Sequence, residues 1–398
     1  MAFQMAVSGI RAATSDLDVI GNNIANANTT GFKASRAQFA DVYAASNLGT
    51  SKDAIGQGVQ LSTVAQQFTQ GNVATTDNSL DLAINGDGFF VVEDSEGRFY
   101  TRAGAFGLDE QGYLVNATGQ RLLGFQVSDG AITGGTGPLN IRTSNLAPKA
   151  TDGIAVEVNL DAASEVLSAG FDPEEPNSYN NSTSLTVYDS LGQEHLATTY
   201  FRKSDANDWT AYLYLDDAEV GSTALAFSEY GQLTSPGLTS FAGVTVGPGV
   251  DDMTLSLDFT GTTQFGADFG VNALEQDGFT TGQLSGVDID ERGVVLARFS
   301  NGQTAPQGQV MLANFGNPQG LQPNGDTLWT ESTDSGPPLI GAPGTAALGL
   351  VQSGALEESN VDLAAQLVNL IIAQRNYQAN AQVIQAEDEV TQTIINIR

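Results

Sequence analysis

The stretch FQMAVSGIRAATSDLDVIGNNIANA, residues 3–27, decides how this chain folds at its start. Its apolar side chains recur at alternating spacings of three and four residues, which is the spacing of a coiled-coil seam. The seam consists of Phe3, Ala6, Ile10, Ala13, Leu17, Ile20, Ile24 and Ala27. We therefore expect one long helix over 3–27 with an apolar stripe that a second helix can cover.

The C-terminal end of the chain repeats this pattern. Between 360 and 398 the same alternation runs through Leu363, Leu367, Leu370, Gln374, Tyr377, Ala381, Ile384, Asp388, Thr391 and Ile395, most of them apolar. Each helix could instead pack on a globular core of its own. Because the two seams lie at the two ends of a β-rich chain, we favour the interpretation that they pair with each other.

The sequence between the helices is typical of β structure. The segments GFFVVE, GRFYTR and RLLGFQV are short and apolar, and turns rich in Gly, Asn and Asp separate them. We expect one β domain made of 71–147 and 286–359, with a second, acidic β domain inserted over 148–285. Residues 29–70 hold no convincing run of strands and are expected to form an extended connector. The predicted fold class is mainly β with α-helical termini, as nested β domains on a terminal coiled coil.

Composition excludes several classes of function. The 398 residues include 46 acidic and 15 basic ones, for a formal net charge of -31, and residues 151–300 alone hold 24 acids and four bases. A nucleic-acid partner is not expected, because binding phosphate needs a basic surface. The chain has no cysteine and a single histidine, His195. Disulfides, a thiolate nucleophile and multi-histidine metal sites are therefore excluded.

Three motifs that could carry chemistry have simpler interpretations. His195 lies in GQEHLATTYF, without a nucleophile-elbow serine nearby. Asp87, Asp288 and Asp290 lie in turns that lack the full calcium-loop pattern, and GGTG at 134–137 lacks the Lys-Ser/Thr of a phosphate loop. We therefore expect no catalytic residue, no cofactor, no metal and no small-molecule substrate.

The N-terminal residues show no secretory leader. They lack its basic region, its continuous apolar run and its small-residue cleavage site. No segment approaches the roughly 18 apolar residues of a membrane span. If the protein is extracellular, we expect it to be exported without a cleaved signal peptide.

The run LDVIGNNIANANTTGFKASRAQFADVY, from Leu17 to Tyr43, resembles the N-terminal signature of the bacterial flagellar axial proteins of rod and hook. The ending NVDLAAQLVNLIIAQRNYQANAQVIQAEDEVTQTIINIR is most similar to the hook branch of this family. Chain length favours the same branch, since rod relatives are generally shorter and hook-associated proteins longer. The residues that carry the signature are Gly21, Asn22, Asn23, Ile24, Ala25, Asn26, Gly31 and Phe32.

The resemblance implies a structural subunit that polymerises into the flagellar hook, a curved hollow tube that transmits motor torque from rod to filament as a universal joint. The terminal helices would line the inner wall. The implied partners are further copies of the chain, flagellar rod proteins, hook-associated junction proteins, the hook cap and the type III export apparatus, and the implied location is extracellular. On this basis we assign subunit assembly to Ile10, Leu17, Ile20, Ile24, Leu363, Leu367, Leu370, Tyr377, Ile384 and Ile395.

The resemblance also implies an export element. The segment FADVY, Phe39 to Tyr43, is similar to the short hydrophobic motif that the family presents to the export gate. Packing of Phe39 and Tyr43 within the connector is the alternative. Two other functions stay open at this point: a straight, rigid distal rod subunit, and a secreted β-rich adhesin.

Overall fold

The computed structural model describes residues 2–42, 56–128 and 130–396. It is mainly β with one helix at each end, α1 (Ala2–Ala25) and α2 (Leu363–Asn396), as the sequence predicts. Asp362 caps α2, because its side-chain oxygen accepts the backbone N–H groups of Ala364 and Ala365. Within the described ranges neither helix is both long enough and apolar enough to cross a membrane.

The strands follow one another along the whole chain between the helices. The first ten are β1 (Ser35–Val42), β2 (Gly58–Gln66), β3 (Val73–Thr75), β4 (Leu82–Asn85), β5 (Phe89–Glu93), β6 (Arg98–Thr101), β7 (Gly107–Leu108), β8 (Leu114–Val115), β9 (Arg121–Ser128) and β10 (Ala131–Pro138). The next nine are β11 (Gly153–Asp161), β12 (Asn181–Tyr188), β13 (Glu194–Lys203), β14 (Asp208–Leu215), β15 (Ala218–Ala226), β16 (Leu238–Val244), β17 (Met253–Asp258), β18 (Thr263–Phe265) and β19 (Gly270–Gln276). The last are β20 (Leu284–Ile289), β21 (Val294–Phe299), β22 (Thr304–Val310), β23 (Leu312–Asn314), β24 (Gln322–Gly325), β25 (Leu328–Thr330), β26 (Leu339–Gly341), β27 (Leu350–Ser353) and β28 (Ala355–Glu357).

A two-stranded hairpin replaces much of the expected connector. β1 and β2 pair antiparallel, with Phe39 opposite Leu61 and Ala37 opposite Val64. The expectation of a connector without strands over 29–70 is therefore wrong for these two segments. No hairpin could be predicted here because residues 43–57 separate the strands, whereas recognisable hairpins close through turns of two to five residues. Tyr43 lies outside the described residues.

The chain divides into two compact units. The first contains Met1–Thr143, Gly286–Arg298 and Thr304–Arg398. Its large sheet has the strand order β20-β21-β22-β9-β5-β6-β25-β24, and FFVVE of β5 lies at the centre with four of its five residues buried. One aromatic and aliphatic core lies against this sheet and includes Phe89, Val91, Tyr100, Leu123, Phe315 and Trp329. β27 and β28 pair with β4 and β3, which returns the chain to the start of the domain before α2 begins.

The second unit contains Ser144–Ser285 with Phe299–Gln303, where the sequence analysis placed an insertion over 148–285. It has two sheets. One has the order β12-β13-β14-β15, and the other has the order β16-β17-β11-β18 with β19 beside β11. Their alternating residues meet in a core that includes Val156, Phe201, Trp209, Leu255 and Phe259. Alternation places the polar and acidic residues of the same strands outside this core.

Candidate functional site

The two terminal helices pack against each other inside one chain. Gly9 of α1 lies so close to Asn380 of α2 that a Cβ at position 9 would overlap the Asn380 carboxamide. Near the other end of α1, Asn23 Nδ2 donates to Gln366 Oε1 over 3.4 Å. Residue numbers rise along α1 while they fall along α2, so the pair is antiparallel.

The contact between the helices buries fewer and smaller side chains than the sequence pattern indicates. In α1 the buried residues are Ala6, Ala13, Ile20 and Asn23. In α2 Ala373 is only 1% exposed, and Leu370 and Ile384 are half-buried on the same side of the helix. Small side chains allow the two backbones to approach closely, which explains why Gly9 is needed at the contact.

Only part of the predicted assembly seam lies at this contact. Ile20, Leu370 and Ile384 lie on the helix sides that face each other, and Ile10, Leu17 and Ile24 are half-buried beside them. The other predicted residues, Leu363, Leu367, Tyr377 and Ile395, are exposed in the single chain. They do not lie at the contact between the two helices of one chain. Their assignment to assembly between chains stays a prediction.

α2 carries a second apolar surface, which we call the α2 stripe. It consists of Leu363, Leu367, Val368, Ile371 and Ile372, each between 45% and 57% exposed. At about 100° per residue Val368, Ile371 and Ile372 lie on the side of the helix away from Gln366, Leu370 and Ala373, while Leu363 and Leu367 lie along the edge between the two sides. The first turns of α2 are therefore apolar on both sides, as in a helix that is buried all round.

The side of α1 next to its α2 contact lies against the hairpin. Asn23 Nδ2 donates to the Ser35 carbonyl over 2.7 Å, and the Ser35 N–H donates to Asn23 Oδ1 over 2.8 Å. Near the start of α1, the Val59 N–H donates to Ser8 Oγ over 3.2 Å. α1 is thus held between α2 and the hairpin.

Burial raises the pKa of Asp16, which lies on the same side of α1 as Ala13 and Ile20.

A buried ion cluster joins the helical end of the first unit to its β domain. Lys33 Nζ lies 2.5 Å from Glu357 Oε1, and Arg102 Nη1 lies 3.1 Å from Glu357 Oε2. All three side chains are almost fully buried. Lys33 follows α1, Arg102 follows β6 and Glu357 ends β28, so three distant segments meet at one carboxylate.

Backbone groups complete the cluster. Lys33 Nζ also donates to the Thr69 carbonyl over 2.8 Å, and Arg102 Nη2 donates to the Gly86 carbonyl over 2.8 Å. The Gly71 N–H donates to Glu357 Oε1 over 2.8 Å. Burial lowers the pKa of both Lys33 and Arg102, and the Glu357 carboxylate partly offsets this effect. A buried charge is tolerated only with such complete pairing.

Asn360 reinforces the same junction. Its Oδ1 accepts the Ala34 N–H over 2.7 Å, and its Nδ2 donates to the carbonyls of Gln67 and Thr69 over 2.7 and 3.0 Å. The segment that leads into α2 is therefore tied to the segment that leaves α1. Sequence analysis missed Lys33, Arg102, Glu357 and Asn360. No local pattern in the sequence marks these four residues as partners.

The signature residues have different structural roles. Asn23 is buried and pairs with Ser35, as described above. Gly31 has φ +70°, and a Cβ there would overlap the backbone at Ala103, so the turn after α1 requires glycine. Gly21 has open space around its Cα. Asn22 and Ala25 are exposed, whereas Ile24, Asn26 and Phe32 are half-buried.

The possible export element is only partly described. Phe39 is 39% exposed on β1, and Tyr43 lies outside the described residues.

The motifs set aside in the sequence form ordinary turns and contacts. His195 Nδ1 lies 2.5 Å from Asp216 Oδ2, and Nε2 lies 3.4 Å from Asp189 Oδ2, so both ring nitrogens are engaged by carboxylates. Asp290 Oδ1 accepts the backbone N–H groups of Arg292 and Val294, as in a tight turn. In the portion of the chain that the structure describes, no cluster of His, Cys, Asp or Glu could hold a metal ion.

Models of flagellar protein families match most of the chain. Residues 3–33 match the flagella basal body rod protein family, and residues 83–164 match the flagellar hook protein FlgE/F/G D1 domain. Residues 159–279 match the flagellar basal body protein FlaE D2 domain, and residues 352–397 match the flagellar basal body rod FlgEFG protein C-terminal family.

The chain is similar along its whole length to known hook proteins. It is 39% identical to the flagellar hook protein FlgE of Escherichia coli (strain K12) and 40% identical to that of Salmonella typhimurium, over 100% of both chains in each case. The hook protein of Rhizobium meliloti is 34% identical, over 98% of this chain and 97% of the relative.

Likeness to a solved structure concerns the fold alone. The crystal structure of flagellar hook protein FlgE2 from Helicobacter pylori matches with a TM-score of 0.56 at 16% identity, covering 71% of this chain and 100% of that one. The predicted fold class and the predicted family are both confirmed. On its full-length identity to these relatives, the chain belongs to the flagellar hook protein FlgE family.

Proposed function

We propose that the chain is the structural subunit of the bacterial flagellar hook and polymerises into a curved, hollow tube. The α2 stripe is the observation that carries this proposal. Five large apolar side chains stay exposed on a helix whose opposite side is already packed, and full burial of each such side chain is worth about 1.5–3 kcal/mol. Further copies of the chain would cover them in a polymer.

The proposed role as a universal joint involves the terminal helices and the β domain of the first unit. Helix contacts between copies would hold the tube closed, while the buried cluster of Lys33, Arg102 and Glu357 would carry force from the helices into the β domain. A fully paired buried cluster suits this task, because breaking it exposes an uncompensated charge at a cost of about 3–5 kcal/mol.

The proposed partners follow from the position of a hook. They are flagellar rod proteins, hook-associated junction proteins, the hook cap and the type III export apparatus. We infer an extracellular location at the basal body, reached without a cleaved signal peptide, and a purely structural rather than enzymatic role. Phe39, exposed on β1, supports an export-recognition role for that segment. The family comparisons do not favour a distal rod subunit or an adhesin.

Electron microscopy of the purified, polymerised chain tests the proposal. Hollow tubes with visible curvature are expected. Straight, rigid tubes would instead support a distal rod subunit. A chain that stays monomeric at high concentration, with its β domains folded, would contradict a polymer-forming role.

A further inference from the structure

One histidine joins two hairpin turns at the same end of the four-stranded sheet of the second unit. His195, near the start of β13, lies with Nδ1 2.5 Å from Asp216 Oδ2 and with Nε2 3.4 Å from Asp189 Oδ2. Asp189 directly follows β12, and Asp216 directly follows β14. We call these three residues the histidine latch.

The geometry of the latch requires a ring with both nitrogens protonated. A neutral imidazole has one N–H and one lone pair, so it can donate to only one of the two carboxylates, whereas the imidazolium donates to both. Burial alone would lower the pKa of His195, but the hydrogen bonds to Asp216 and Asp189 raise it above its usual value. The latch is therefore complete at low pH and loses one bond as the pH rises through the pKa of the folded state.

Other acids on the surrounding elements do not contact the ring. They are Glu194 on β13, Asp217 in the β14–β15 turn and Asp251 before β17. Alternation along β13 places Glu194 on the face opposite His195. Asp217 is exposed, and Asp251 approaches the β12–β13 turn with its backbone N–H, which donates to Ser190 Oγ over 3.3 Å. Asp189 and Asp216 are therefore the groups that determine the charge of the ring.

The two carboxylates differ in how well they tolerate loss of the ring N–H. The Asp189 side chain is fully buried, and its Oδ1 also accepts the backbone N–H groups of Leu191 and Gln193. The Asp216 side chain is 52% exposed, so water can replace the ring as its partner. An unpaired carboxylate is costly in the interior and tolerated at the surface. The neutral ring should therefore keep its proton on Nε2, towards Asp189, although the distance to Asp216 is the shorter one.

Loss of the bond to Asp216 should loosen the β14–β15 turn. Asp216 Oδ1 accepts the Leu196 N–H over 2.9 Å, and the Asp216 N–H donates to the Leu196 carbonyl over 3.1 Å. Asp216 thus extends the pairing of β13 with β14 beyond Ala197 and Leu215. Once Nδ1 carries a lone pair, it repels the nearby carboxylate, and the side chain that moves away also leaves the Leu196 N–H.

We propose that the histidine latch is a pH-sensitive switch, which fastens the β14–β15 turn to β13 while the ring is charged and frees that turn when the ring is neutral. The β12–β13 turn stays in place, because Asp189 keeps the ring Nε2–H and both of its backbone partners. The switch is independent of polymerisation, since all of its parts lie within the second unit of one chain.

Nuclear magnetic resonance of the ring tests the switch directly, because the chain has a single histidine. The full-length monomer is labelled in the ring nitrogens of histidine and titrated from acid to alkaline pH. Both nitrogens should be protonated at low pH, and at high pH only Nε2 should keep its proton. A neutral ring that carries its proton on Nδ1 overturns the inference.

Hydrogen exchange of the backbone measures the turn itself. After correction for the intrinsic pH dependence of exchange, the Leu196 N–H should exchange about five-fold faster or more once the ring is neutral, which is the lower range for coupling between two sites. The Gln193 N–H, which Asp189 holds, should keep its protection. Equal protection of Leu196 on both sides of the ring titration overturns the switch.

A matched pair of variants separates the switch from general loosening of the hairpin. In Asp216→Asn the amide Nδ2 can donate to the bare Nδ1 of a neutral ring, so the Leu196 N–H should stay protected at high pH. Asp217→Asn is the control, because positions 216 and 217 both have positive φ, which asparagine tolerates. It should keep the natural pH response. Circular dichroism verifies that both variants fold. Release of the turn at high pH in Asp216→Asn, or loss of the response in Asp217→Asn, contradicts the proposed switch.

Discussion

Gly9 of α1 lies directly beneath the side chain of Asn380 of α2, with no room for a Cβ between them. This contact sets how closely the terminal helices approach. Because the side chains around it are small, the pair depends on close backbone packing rather than on a large apolar seam.

Replacing this glycine should weaken the helix pair. Gly9→Val would force Asn380 aside and separate the helices, so we expect a higher critical concentration and a lower melting temperature of the polymer. Gly21→Ala is the matched control, because position 21 has open space and alanine favours a helix by about 1 kcal/mol over glycine. Turbidity and melting curves measure both. Equal effects of the two substitutions would contradict the close contact at Gly9.

The ion cluster should be sensitive to loss of its single carboxylate. Glu357→Gln removes the charge that Lys33 and Arg102 share, and we expect it to lower the free energy of unfolding of the first unit by about 3–5 kcal/mol. Urea unfolding measures the loss. Glu358→Gln, on the exposed neighbouring residue, should change stability by less than about 0.5 kcal/mol. A small effect at 357 would mean that the cluster is dispensable.

Substitutions at two leucines of α2, Leu367 and Leu370, should have different effects on the monomer. Leu367→Asp places a carboxylate on the α2 stripe, so it should abolish polymerisation while leaving the monomer's circular dichroism and melting unchanged. Leu370→Asp lies on the side facing α1 and should also reduce helix content of the monomer. Sedimentation and circular dichroism separate the two outcomes. Asn369→Asp serves as a control, and normal tubes from Leu367→Asp would show that the stripe faces water.

The second unit should lose stability as the solution becomes alkaline. Burial tends to lower the pKa of His195, but hydrogen bonds to Asp216 and Asp189 outweigh it and raise the pKa above its usual value. The stabilisation is therefore complete below the unfolded-state pKa of about 6.5 and is lost as pH rises through the higher folded-state value. Melting curves from pH 6 upward should fall more steeply for the natural chain than for His195→Gln, and parallel curves would contradict this.

The second unit should also be removable. The antiparallel bridges Leu146–Gly282 and Lys149–Phe279 hold its incoming and outgoing segments side by side. A short glycine link in place of 148–281 should therefore leave the terminal helices and the first unit folded, and tubes should still form with altered curvature by electron microscopy. Loss of all polymers from a folded deletion variant would show that this unit is required for assembly.

The sequence predicted the helices and the β domains. It did not predict which side of α2 packs against α1 and which side stays exposed. A spacing of 3.5 residues drifts around a straight helix of 3.6 residues per turn. The predicted seam therefore begins at Leu363, at the edge of the exposed side, and turns gradually toward the side that faces α1, where Leu370 and Ile384 lie. Since the first turns of α2 are apolar all round, periodicity could not choose between the two sides.

The ion cluster could not be predicted because its parts are far apart in sequence. Lys33 and Glu357 are 324 residues apart, and they meet only in the folded chain, where the Gly31 N–H also donates to the Glu357 carbonyl over 2.8 Å. Nothing near either residue marks a partner. The hairpin was missed for a similar reason, since its strands pair across a long intervening segment. The family resemblance located the signature but did not reveal which of its residues carry the junction.

The Glu357 carboxylate also determines when the junction between the helices and the β domain can form. A chain made or threaded from its N-terminus presents Lys33 and Arg102 early, whereas Glu357 emerges 255 residues after Arg102. Until then the two cations have no counter-ion, and enclosing them in an apolar interior is unfavourable. The junction can close only when nearly the whole chain has arrived. A partly delivered subunit would therefore stay loose where it must remain threadable, and it would become rigid only once its last helix could take its place.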